Sequence, residues 1–576
     1  MTVHHLPQPP SDEELYWYFG PQRRWVLIAT SLAFVFTAAT MFAFALRTPA
    51  LWAFLAVLAL NLAALTLSCV NSLRQRRLTR PSHEVLVRAW RPAVLPGVDL
   101  YLPTCGEPLP VLDNAYRAVA GVDWPADALT VWVLDDADRP EVAALAASYG
   151  YEYVVRPDRG HLKKAGNLNH ALTLSTAEFV AILDADFAPR PDFLRHLVPY
   201  LSDPAVGIVQ SPQCFDTDGS MSWIQRAAGS AQEWFFRWIQ PSRDASDAAI
   251  CCGSNAVYRR SAIDLAGGFA RLDHSEDLYT GLALHEKGFR TLYVPVLVAK
   301  GTSPDRVTSF VNQQYRWAMG NLHLLGTPVL RRMRAPWRMR LCFYEGIIGY
   351  LTTAVNTFAA PLPPLVMLFW YPDHIRPWHV LPLLAPLWLW HVLLPRVSRT
   401  RWRVEVIRAN VLTSVAAATA FLHTLRGRTA AWVPTGARGA ASRGGMARRV
   451  VAVSLAWLVL SCGAATAGLA RAVARNGWEP NWGLLLYLLV QLQINAPLIR
   501  DLAAELNPAR ASGTSLRALV GARVHAGLRA GFRARPGSPS QMLPRRWPET
   551  VAASAVLLLT GLLASGWVDP MLPWLS

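Results

Sequence analysis

The sequence predicts a polytopic α-helical membrane protein with an inserted cytoplasmic α/β domain that contains a mainly parallel sheet. Three features of the 576-residue chain predict this fold. Seven apolar runs are long enough to cross a bilayer core of about 30 Å, and arginine clusters in some of the segments between them. Strand-like and helix-like segments alternate between the second and third runs. The chain is 52% hydrophobic and only 16% charged, which excludes a disordered protein.

The apolar runs divide the membrane part into pairs of predicted spans. Residues 25–72 form two spans and follow a polar segment, residues 1–24, whose acidic side chains make it unlike a cleaved signal peptide. Residues 345–396 and 450–503 form two spans each, and residues 549–576 contain the last one. Seven such runs on one soluble chain would be very unusual, which argues against buried core helices.

Arginine sets the predicted orientation, with the N-terminus inside the cell and the C-terminus outside. Clusters of Arg at 74–80, 396–408 and 426–449 belong in the cytoplasm, because cytoplasmic loops of membrane proteins are enriched in basic residues. Two of these clusters flank a moderately apolar stretch, so residues 397–449 are expected to hold an interfacial helix that does not cross. Residues 504–548 form a basic cytoplasmic loop.

The net charge of +17 is therefore explained by membrane topology, and no nucleic-acid partner is expected. The seven Cys fall in predicted membrane or cytoplasmic segments, and none has the CxxC spacing of a zinc site. We expect free thiols and a multi-pass protein of the plasma or inner membrane.

The inserted domain is predicted over residues 75–344. Its strand-like segments are 98–102, 129–134, 151–155, 179–183 and 206–209. Ligands bind beyond the carboxyl ends of the strands in sheets of this kind, so acidic residues at those ends are candidate functional groups.

Two acidic pairs follow strands directly. Asp184 and Asp186 could converge on one hard divalent cation that bridges to phosphate, or they could only cap the next turn. Asp135 and Asp136 could accept hydrogen bonds from a base or ribose, or could form a turn or helix N-cap.

Three further groups have suitable chemistry. Lys164 is one of only four Lys in an Arg-rich chain and suits a phosphate, although it could belong to a solvated loop. Glu276 and Asp277 open a helical stretch, where they could cap the helix or supply a general base. Gln313, Arg316 and Trp317 could bind a diphosphate and stack on a sugar ring, or could form an interfacial aromatic belt; they are the sequence QQYRW.

Taken in order, these residues resemble a known family. Asp135, Asp184-x-Asp186, Asp277 and Gln313-x-x-Arg316-Trp317 resemble the D, DxD, D, QxxRW pattern of processive family 2 glycosyltransferases, which include the cellulose, chitin and hyaluronan synthases. Neighbouring segments resemble those of cellulose synthases over about residues 95–440, namely TCGEP at Thr104, KAGN at Lys164, CGS at Cys252 and WVPTG at Trp432.

The resemblance implies a family A glycosyltransferase-like, nucleotide-sugar-binding fold for the inserted domain. It implies a UDP-sugar donor, with UDP-glucose and a β-1,4-linked glucan expected, and Mg²⁺ or Mn²⁺ as cofactor. The growing polysaccharide would be the acceptor, and it would leave through a channel in the lipid bilayer that the enzyme itself forms. Export subunits are possible further partners.

The resemblance also implies a role for each matched residue. The nucleotide would be bound by Thr104, Glu107, Asp135, Asp136, Lys164, Asp184, Gln313 and Arg316; the metal by Asp186 and Asp184; and the acceptor by Trp317, Cys252 and Gly253. Asp277 would be the general base with Glu276 beside it, and Trp432 and Thr435 would belong to a gating loop.

The chain departs from the family pattern in three respects. Cys105 replaces the aromatic residue of the first loop, SED replaces TED at Ser275, and no motif of a cyclic-di-GMP-binding PilZ domain is evident. Two alternatives stay open: transfer of a single sugar to a lipid carrier, and a non-catalytic transporter that senses a nucleotide sugar.

Overall fold

The structure is a computed structural model, and it describes residues 6–19, 23–72, 74, 78–327, 330, 335–430 and 445–507. The described helices are, in chain order, α1 (Arg23–Leu46), α2 (Trp52–Ser72), α3 (Arg80–Ala89), α4 (Leu109–Ala120), α5 (Pro140–Ser148), α6 (Lys163–Leu172), α7 (Phe193–Leu197), α8 (Trp223–Trp234), α9 (Gln240–Asp244), α10 (Arg260–Ala266), α11 (Glu276–Glu286), α12 (Val307–Gly326), α13 (Trp337–Ala359), α14 (Leu362–Trp370), α15 (Leu381–Trp388), α16 (Leu394–Val397), α17 (Arg403–Leu425), α18 (Gly445–Asn476) and α19 (Trp482–Leu506).

The described strands all lie between α3 and α12. They are β1 (Val98–Thr104), β2 (Leu129–Asp135), β3 (Glu152–Val154), β4 (Phe179–Ile182), β5 (Ala188–Pro189), β6 (Val206–Gln210), β7 (Cys214–Phe215), β8 (Ala256–Arg259), β9 (Arg290–Tyr293) and β10 (Ala299–Gly301). The five predicted strand segments correspond to β1, β2, β3, β4 and β6.

Seven of the strands form one mainly parallel sheet in the order β3-β2-β1-β4-β8-β6-β9. Only β8 runs antiparallel to its two neighbours, β4 and β6. The central strand β1 is buried along nearly its whole length, as expected where helices cover both faces of a parallel sheet. The predicted α/β domain with a mainly parallel sheet is therefore confirmed.

A second, three-stranded sheet was not predicted. It has the order β5-β10-β7 and lies where the chain leaves β4 and β6. Its strands are only two or three residues long, too short to give a periodic signal in the sequence.

Seven helical segments in the described chain are long and apolar enough to cross a membrane: Trp25–Leu46, Pro49–Ser72, Trp337–Trp370, Pro377–Val397, Arg403–Leu425, Gly445–Asn476 and Glu479–Leu506. Six of these coincide with predicted spans. The predicted span within residues 549–576 lies outside the described residues, as does all of the predicted basic loop at 504–548 except residues 504–507, of which 504–506 belong to α19. The chain is a multi-pass membrane protein.

The seventh segment, α17, is the helix that the arginine pattern assigns to the membrane surface. Its length and composition would allow it to cross, but half of its apolar window is buried inside the protein. It packs against α8 and α12 of the α/β domain as well as against α13 and α18. Its interfacial position stays a prediction.

A buried ion pair joins α17 to the α/β domain. Arg403 Nη2 donates to Glu233 Oε2 at 2.6 Å, and the two side chains are 2% and 1% exposed. The Glu233 carboxylate also accepts from the backbone amides of Arg399 and Thr400 at 2.8 and 3.0 Å. The pair thus anchors the first turn of α17 on α8.

The N-terminal segment packs on the α/β domain. Arg190 donates to the Pro10 carbonyl and to the Asp12 carboxylate, both at 2.7 Å. The Lys300 ammonium group donates to Glu14 at 3.1 Å. Residues 6–19 therefore lie on the same side of the membrane helices as the domain. All seven Cys lie in the described part of the chain and are free thiols, as predicted.

Removing one partner of the α8–α17 ion pair should destabilise the protein. Arg403→Met leaves the buried Glu233 carboxylate with Arg237, at 2.9 Å, as its remaining ion-pair partner, and removing one partner of a buried ion pair costs about 3–5 kcal/mol in comparable cases. We expect a clear fall in the thermal unfolding midpoint of the protein in lipid nanodiscs. Arg475→Met is the matched control, because Arg475 and its partner Asp373 are 54% and 52% exposed and such pairs contribute less than about 1 kcal/mol. Equal midpoints for the two variants would contradict the anchoring role.

Candidate active site

A cavity of about 280 Å³ lies at the sheet edge where β1, β2, β4 and β6 end and β8 begins. The N-terminal turns of α11 and α12 close it on the other side. Twelve of the residues that the sequence singles out line this cavity: Thr104, Glu107, Asp136, Lys164, Asp184, Asp186, Cys252, Glu276, Asp277, Gln313, Arg316 and Trp317. Asp135 and Gly253 do not line it, and Trp432 and Thr435 lie outside the described residues.

The loop after β1 is held in shape by its own side chains. The Glu107 carboxylate accepts from the Thr104 hydroxyl and from the Cys105 amide, the latter at 2.7 Å. Arg139 donates to the Glu107 carbonyl at 2.7 Å and to the Thr104 hydroxyl at 3.2 Å. The loop therefore presents Thr104 and Glu107 to the cavity in a fixed arrangement.

The two acids after β2 are already engaged within the protein. Asp135 is completely buried, and its carboxylate accepts from the amides of Ala137 and Arg139 at 3.0 and 2.9 Å. These bonds match the turn alternative for Asp135, and its role in binding uridine stays a prediction. Asp136 pairs with both the Nε and Nη2 atoms of the buried Arg156, at 2.7 and 2.9 Å.

Lys164 connects β4 to the loop before β8. Its ammonium group donates to the Asp184 carboxylate and, at 2.8 Å, to the Gly253 carbonyl. Burial alone would lower the pKa of Lys164, but the neighbouring Asp184 and Glu276 carboxylates outweigh burial and raise it. Lys164 is therefore a permanent positive charge in the cavity wall.

Gly253 contributes through its backbone. Its φ of +72° suits glycine, and a Cβ there would lie 3.1 Å from the Asp277 Cβ. A larger residue would therefore push against Asp277. Beside it, Cys252 lines the cavity as a neutral thiol, because burial raises its pKa well above the usual value.

Burial opposes the ionisation of three of the carboxyl groups that line this cavity. Burial, reinforced by the nearby Asp184, raises the pKa of Asp186 to about 8. Burial and the adjacent Glu276 raise the pKa of Asp277 to about 7. The pKa of Glu276 is raised as well, by burial, in spite of the opposing charge of Lys164.

This charge pattern suits a divalent cation that is shared with a ligand. No group of three or more His, Cys, Asp or Glu side chains in the described ranges could form a metal cage. A cation such as Mg²⁺ is commonly held by only one or two carboxylates together with substrate phosphates. Asp186, with Asp184 beside it, fits that mode of binding.

One face of α12 presents its polar residues to the cavity. Gln313, Arg316 and Trp317 have the i, i+3, i+4 spacing of a single helical face. Burial lowers the pKa of Arg316, and the Glu276 and Asp184 carboxylates partly offset this effect. The cavity position of these residues argues against an aromatic belt in contact with lipid.

The sequence analysis missed several residues that line the cavity. They are Gln213 after β6, His274 before α11, and Thr302 and Ser303 after β10. Gln213 follows β6 and His274 precedes α11, and both elements can be recognised in the sequence. Their position near the sheet edge could therefore have suggested these two residues as candidates. Thr302 and Ser303 follow β10, which has only three residues and cannot be recognised from the sequence.

Comparisons with known proteins agree with this geometry. The family model described as glycosyl transferase family group 2 matches residues 179–492. Cellulose synthase 2 of Novacetimonas hansenii is 34% identical over 283 residues, which are 48% of this chain and 17% of that protein. The UDP-forming cellulose synthase catalytic subunit of Xanthomonas axonopodis pv. citri is 34% identical over 261 residues, or 44% and 36% of the two chains. The chain thus spans about a third or less of the length of these relatives.

Among solved structures, the mannosyltransferase PcManGT from Pyrobaculum calidifontis, in complex with GDP-Man and Mn²⁺, is similar over 64% of this chain and 97% of its own. The sequence identity is 20% and the TM-score 0.44.

Neutralising Asp277 should stabilise the folded protein at alkaline pH. The folded carboxyl group keeps its proton up to about pH 7, whereas the unfolded group titrates near 3.8. The folded state therefore binds more protons between these values, and its stability falls as the pH rises through this window. Asp277→Asn removes the effect, and we expect it to be more stable than the wild type above pH 7 by at most about 4 kcal/mol, since the two pKa values differ by about three units and one unit corresponds to about 1.4 kcal/mol.

The measurement is the thermal midpoint of both proteins between pH 5 and 8.5. The advantage of Asp277→Asn should grow as the pH increases. Asp264→Asn, on the exposed surface of α10, is the matched control and should show no such trend. A pH-independent difference for Asp277→Asn would contradict the raised pKa.

Proposed function

Because this chain belongs to glycosyl transferase family group 2, we propose that this membrane glycosyltransferase is a processive, inverting enzyme that polymerises a nucleotide sugar and exports the product through its own helices. One observation carries the proposal. The cavity that contains Asp186 and Asp277 is also lined by Gln313, Arg316 and Trp317. Groups suited to a nucleotide diphosphate and to an acceptor sugar therefore meet in one place.

We infer that the donor is UDP-glucose and the product a β-1,4-linked glucan. This choice is supported by the names of the similar proteins, which are cellulose synthases, three of them catalytic subunits described as UDP-forming. Thr104, Glu107, Asp135 and Asp136 would hold the nucleoside at the ends of β1 and β2. For Asp135 this requires its carboxylate to give up part of its hydrogen bonding to the turn after β2.

The diphosphate would lie among the positive groups of the cavity. Lys164 and Arg316 supply the charge, and Gln313 adds a neutral donor from the same face of α12. Asp186 and Asp184 would hold Mg²⁺ or Mn²⁺ against the diphosphate. The cation supplies charge neutralisation of the leaving group, and the two acids fit it because together they carry more negative charge than Lys164 compensates.

Asp277 would act as general base. Its raised pKa makes it a better proton acceptor than an ordinary aspartate near neutral pH. It would take the proton of the acceptor hydroxyl as that oxygen bonds to the anomeric carbon. The bond from this carbon to the diphosphate oxygen breaks in the same displacement, and the configuration inverts. Glu276, next to Asp277, keeps the pKa high.

The acceptor would lie between Trp317 and the strip formed by Cys252 and Gly253. Trp317 provides a flat face for the terminal sugar. We propose that the segment with Trp432 and Thr435 is a gating loop over the donor and that residues 397–449 combine this loop with the interfacial helix. The boundaries that the sequence predicts for the membrane spans, the inserted domain and the loops are part of the same proposal.

A second cavity, of about 540 Å³, supports export through the membrane helices. It is lined by α13, α14, α15, α17, α18 and α19, and its lining includes Asn356, Trp390, Asn410, Trp457, Tyr487, Gln491 and Asn495. Amide side chains inside a membrane are costly unless they face a cavity or one another. Amides and aromatic rings are also the side chains that bind sugars well.

Transfer of one sugar to a lipid carrier is the second candidate. A neighbouring cavity of about 520 Å³ favours it, because most of its apolar lining side chains come from α1, α2 and α14. A lipid chain could occupy such a space. The two candidates share the chemistry at Asp186 and Asp277 and differ in the size of the product.

Turnover should depend on Asp277. We expect the purified protein in nanodiscs, with Mg²⁺ or Mn²⁺, to convert radiolabelled UDP-glucose into high-molecular-weight product. UDP-N-acetylglucosamine and GDP-mannose are tested in parallel. Asp277→Asn should lower the rate by at least about 10³-fold, because the proton acceptor is lost, while donor binding persists. Asp264→Asn is the matched control and should retain full activity.

Other results would contradict the proposal. Label found only as a single sugar on added lipid extract would support the lipid-carrier candidate. Polymer from another donor would exclude UDP-glucose. Donor binding without turnover in the wild type, unchanged in Asp277→Asn, would favour a nucleotide-sugar-sensing transporter.

The rate should also depend on pH through Asp277. Only the ionised carboxylate accepts a proton, so kcat/KM should rise about tenfold per pH unit below pH 7 and level off above it. The assay uses saturating divalent cation, so that proton competition at Asp186 does not contribute. A profile that is flat between pH 5.5 and 8.5 would exclude Asp277 as the titrating base.

A further inference from the structure

Two buried hydroxyl groups in the cavity wall have no partner among the described residues. Thr302 and Ser303 are 7% and 4% exposed, and neither Oγ atom makes a hydrogen bond there. Both residues line the cavity. An unpaired buried hydroxyl costs about 1–3 kcal/mol, so two adjacent ones at a binding cavity call for a physical explanation.

The strand pairing puts these hydroxyls beside the metal-binding acids. In the small sheet β10 runs antiparallel to β5, with Ala299 opposite Pro189 and Lys300 opposite Ala188. Thr302 directly follows β10, Asp186 lies in the turn before β5, and both residues line the cavity. The close approach is evident at the intervening position, where a Cβ on Gly301 would lie 2.6 Å from the Phe187 ring.

The backbone that carries the two hydroxyls is firmly held. Lys300 pairs with Glu14 of the N-terminal segment at 3.1 Å and with Asp216 at 3.0 Å. On its other side β10 pairs with β7, with Gly301 opposite Phe215. The hydroxyls are therefore fixed before any ligand arrives, and a ligand that bonds to them incurs little ordering cost.

The surroundings favour an anionic partner. Arg306 lines the same wall and precedes the first turn of α12, whose backbone amides favour negative charge. Lys164 and Arg316 face the same space. A hydroxyl can donate to a phosphate oxygen, and such a bond to a charged group is stronger than one to a neutral group.

We propose that Thr302 and Ser303 donate hydrogen bonds to the diphosphate oxygens of the nucleotide-sugar donor, on the side of the cavity that holds Asp186. The inference rests on the proposed function, which supplies the donor. It adds two binding residues that neither a motif nor the family pattern identifies.

The test measures UDP binding to the full chain in nanodiscs by calorimetry, in the presence of Mn²⁺. Thr302→Val keeps the shape of the side chain and removes the hydroxyl, and Ser303→Ala does the same at the next position. Each variant should bind UDP at least about tenfold more weakly. Thr302→Ser retains a hydroxyl and should restore most of the affinity. Ser230→Ala is the matched control, because Ser230 also has a buried hydroxyl without a partner among the described residues but does not line the cavity.

Three results would overturn the inference. UDP binding that is unchanged in both variants, with normal binding by the wild type, excludes the contact and leaves the proposed function intact. Unchanged UDP binding with a raised KM for the UDP-sugar assigns the hydroxyls to the sugar instead of the diphosphate. A wild type that binds no UDP refutes the proposed function, and the inference with it. Thermal midpoints without UDP identify any variant that is misfolded, and the two positions test the idea separately.

Discussion

The excess of buried negative charge between β4 and α11 is the constraint on which the rest of the site depends. Asp184, Asp186, Glu276 and Asp277 all line one cavity, and carboxylates that are buried together cannot all ionise without cations. Lys164 supplies one cation inside the wall and ties Asp184 to the Gly253 carbonyl. Arg316 supplies another, and the free-energy cost of burying its charge lowers its pKa. The remaining deficit of positive charge is what a bound divalent cation would correct.

The sheet brings these groups together because one strand, β8, runs antiparallel to its neighbours. Parallel strands contribute residues to this edge of the sheet only through the loops that follow their carboxyl ends. The antiparallel β8 instead begins at that edge, so the loop before it, with Cys252 and Gly253, meets the loop that follows β4. The amide of Asp184 donates to Ser254 Oγ at 2.9 Å, which fixes the two loops against each other. One antiparallel strand thus adds a further side to the cavity, the side that the proposed function assigns to the acceptor.

Much of this arrangement could be predicted from the sequence, since the relevant signals are local. The apolar runs predicted five strands and six of the membrane helices. The acids at strand ends indicated the sheet edge at which the cavity lies. Strands β8 and β9 were missed because each has only four residues, one of which is Arg, so neither forms an uninterrupted apolar run. Asp135 and Thr302 show the limit most clearly. The availability of each side chain for a ligand depends on whether it already has a hydrogen-bond partner within the fold, which no local sequence pattern indicates. The Asp135 carboxylate has several such partners, and the Thr302 hydroxyl has none in the described structure.

The coupling between the cavity and the membrane part follows from the two faces of α12. Arg316 and Trp317 face the cavity, whereas Tyr315 is buried against α17, where its hydroxyl contacts His423 Nδ1 at 2.7 Å. The same hydroxyl accepts from the Ala430 amide at 3.0 Å, just before the segment with the proposed gating loop. At the other end of α17, Arg226 and Arg403 pair with Glu405 and Glu233. Because α17 is bonded to α12 at one end and to α8 at the other, any displacement of α12 has to move α17 or break the hydrogen bond between Tyr315 and His423. The helix whose apolar composition suits a membrane is therefore held to the α/β domain at both ends, as the proposed passage of product from the domain to the membrane helices would require.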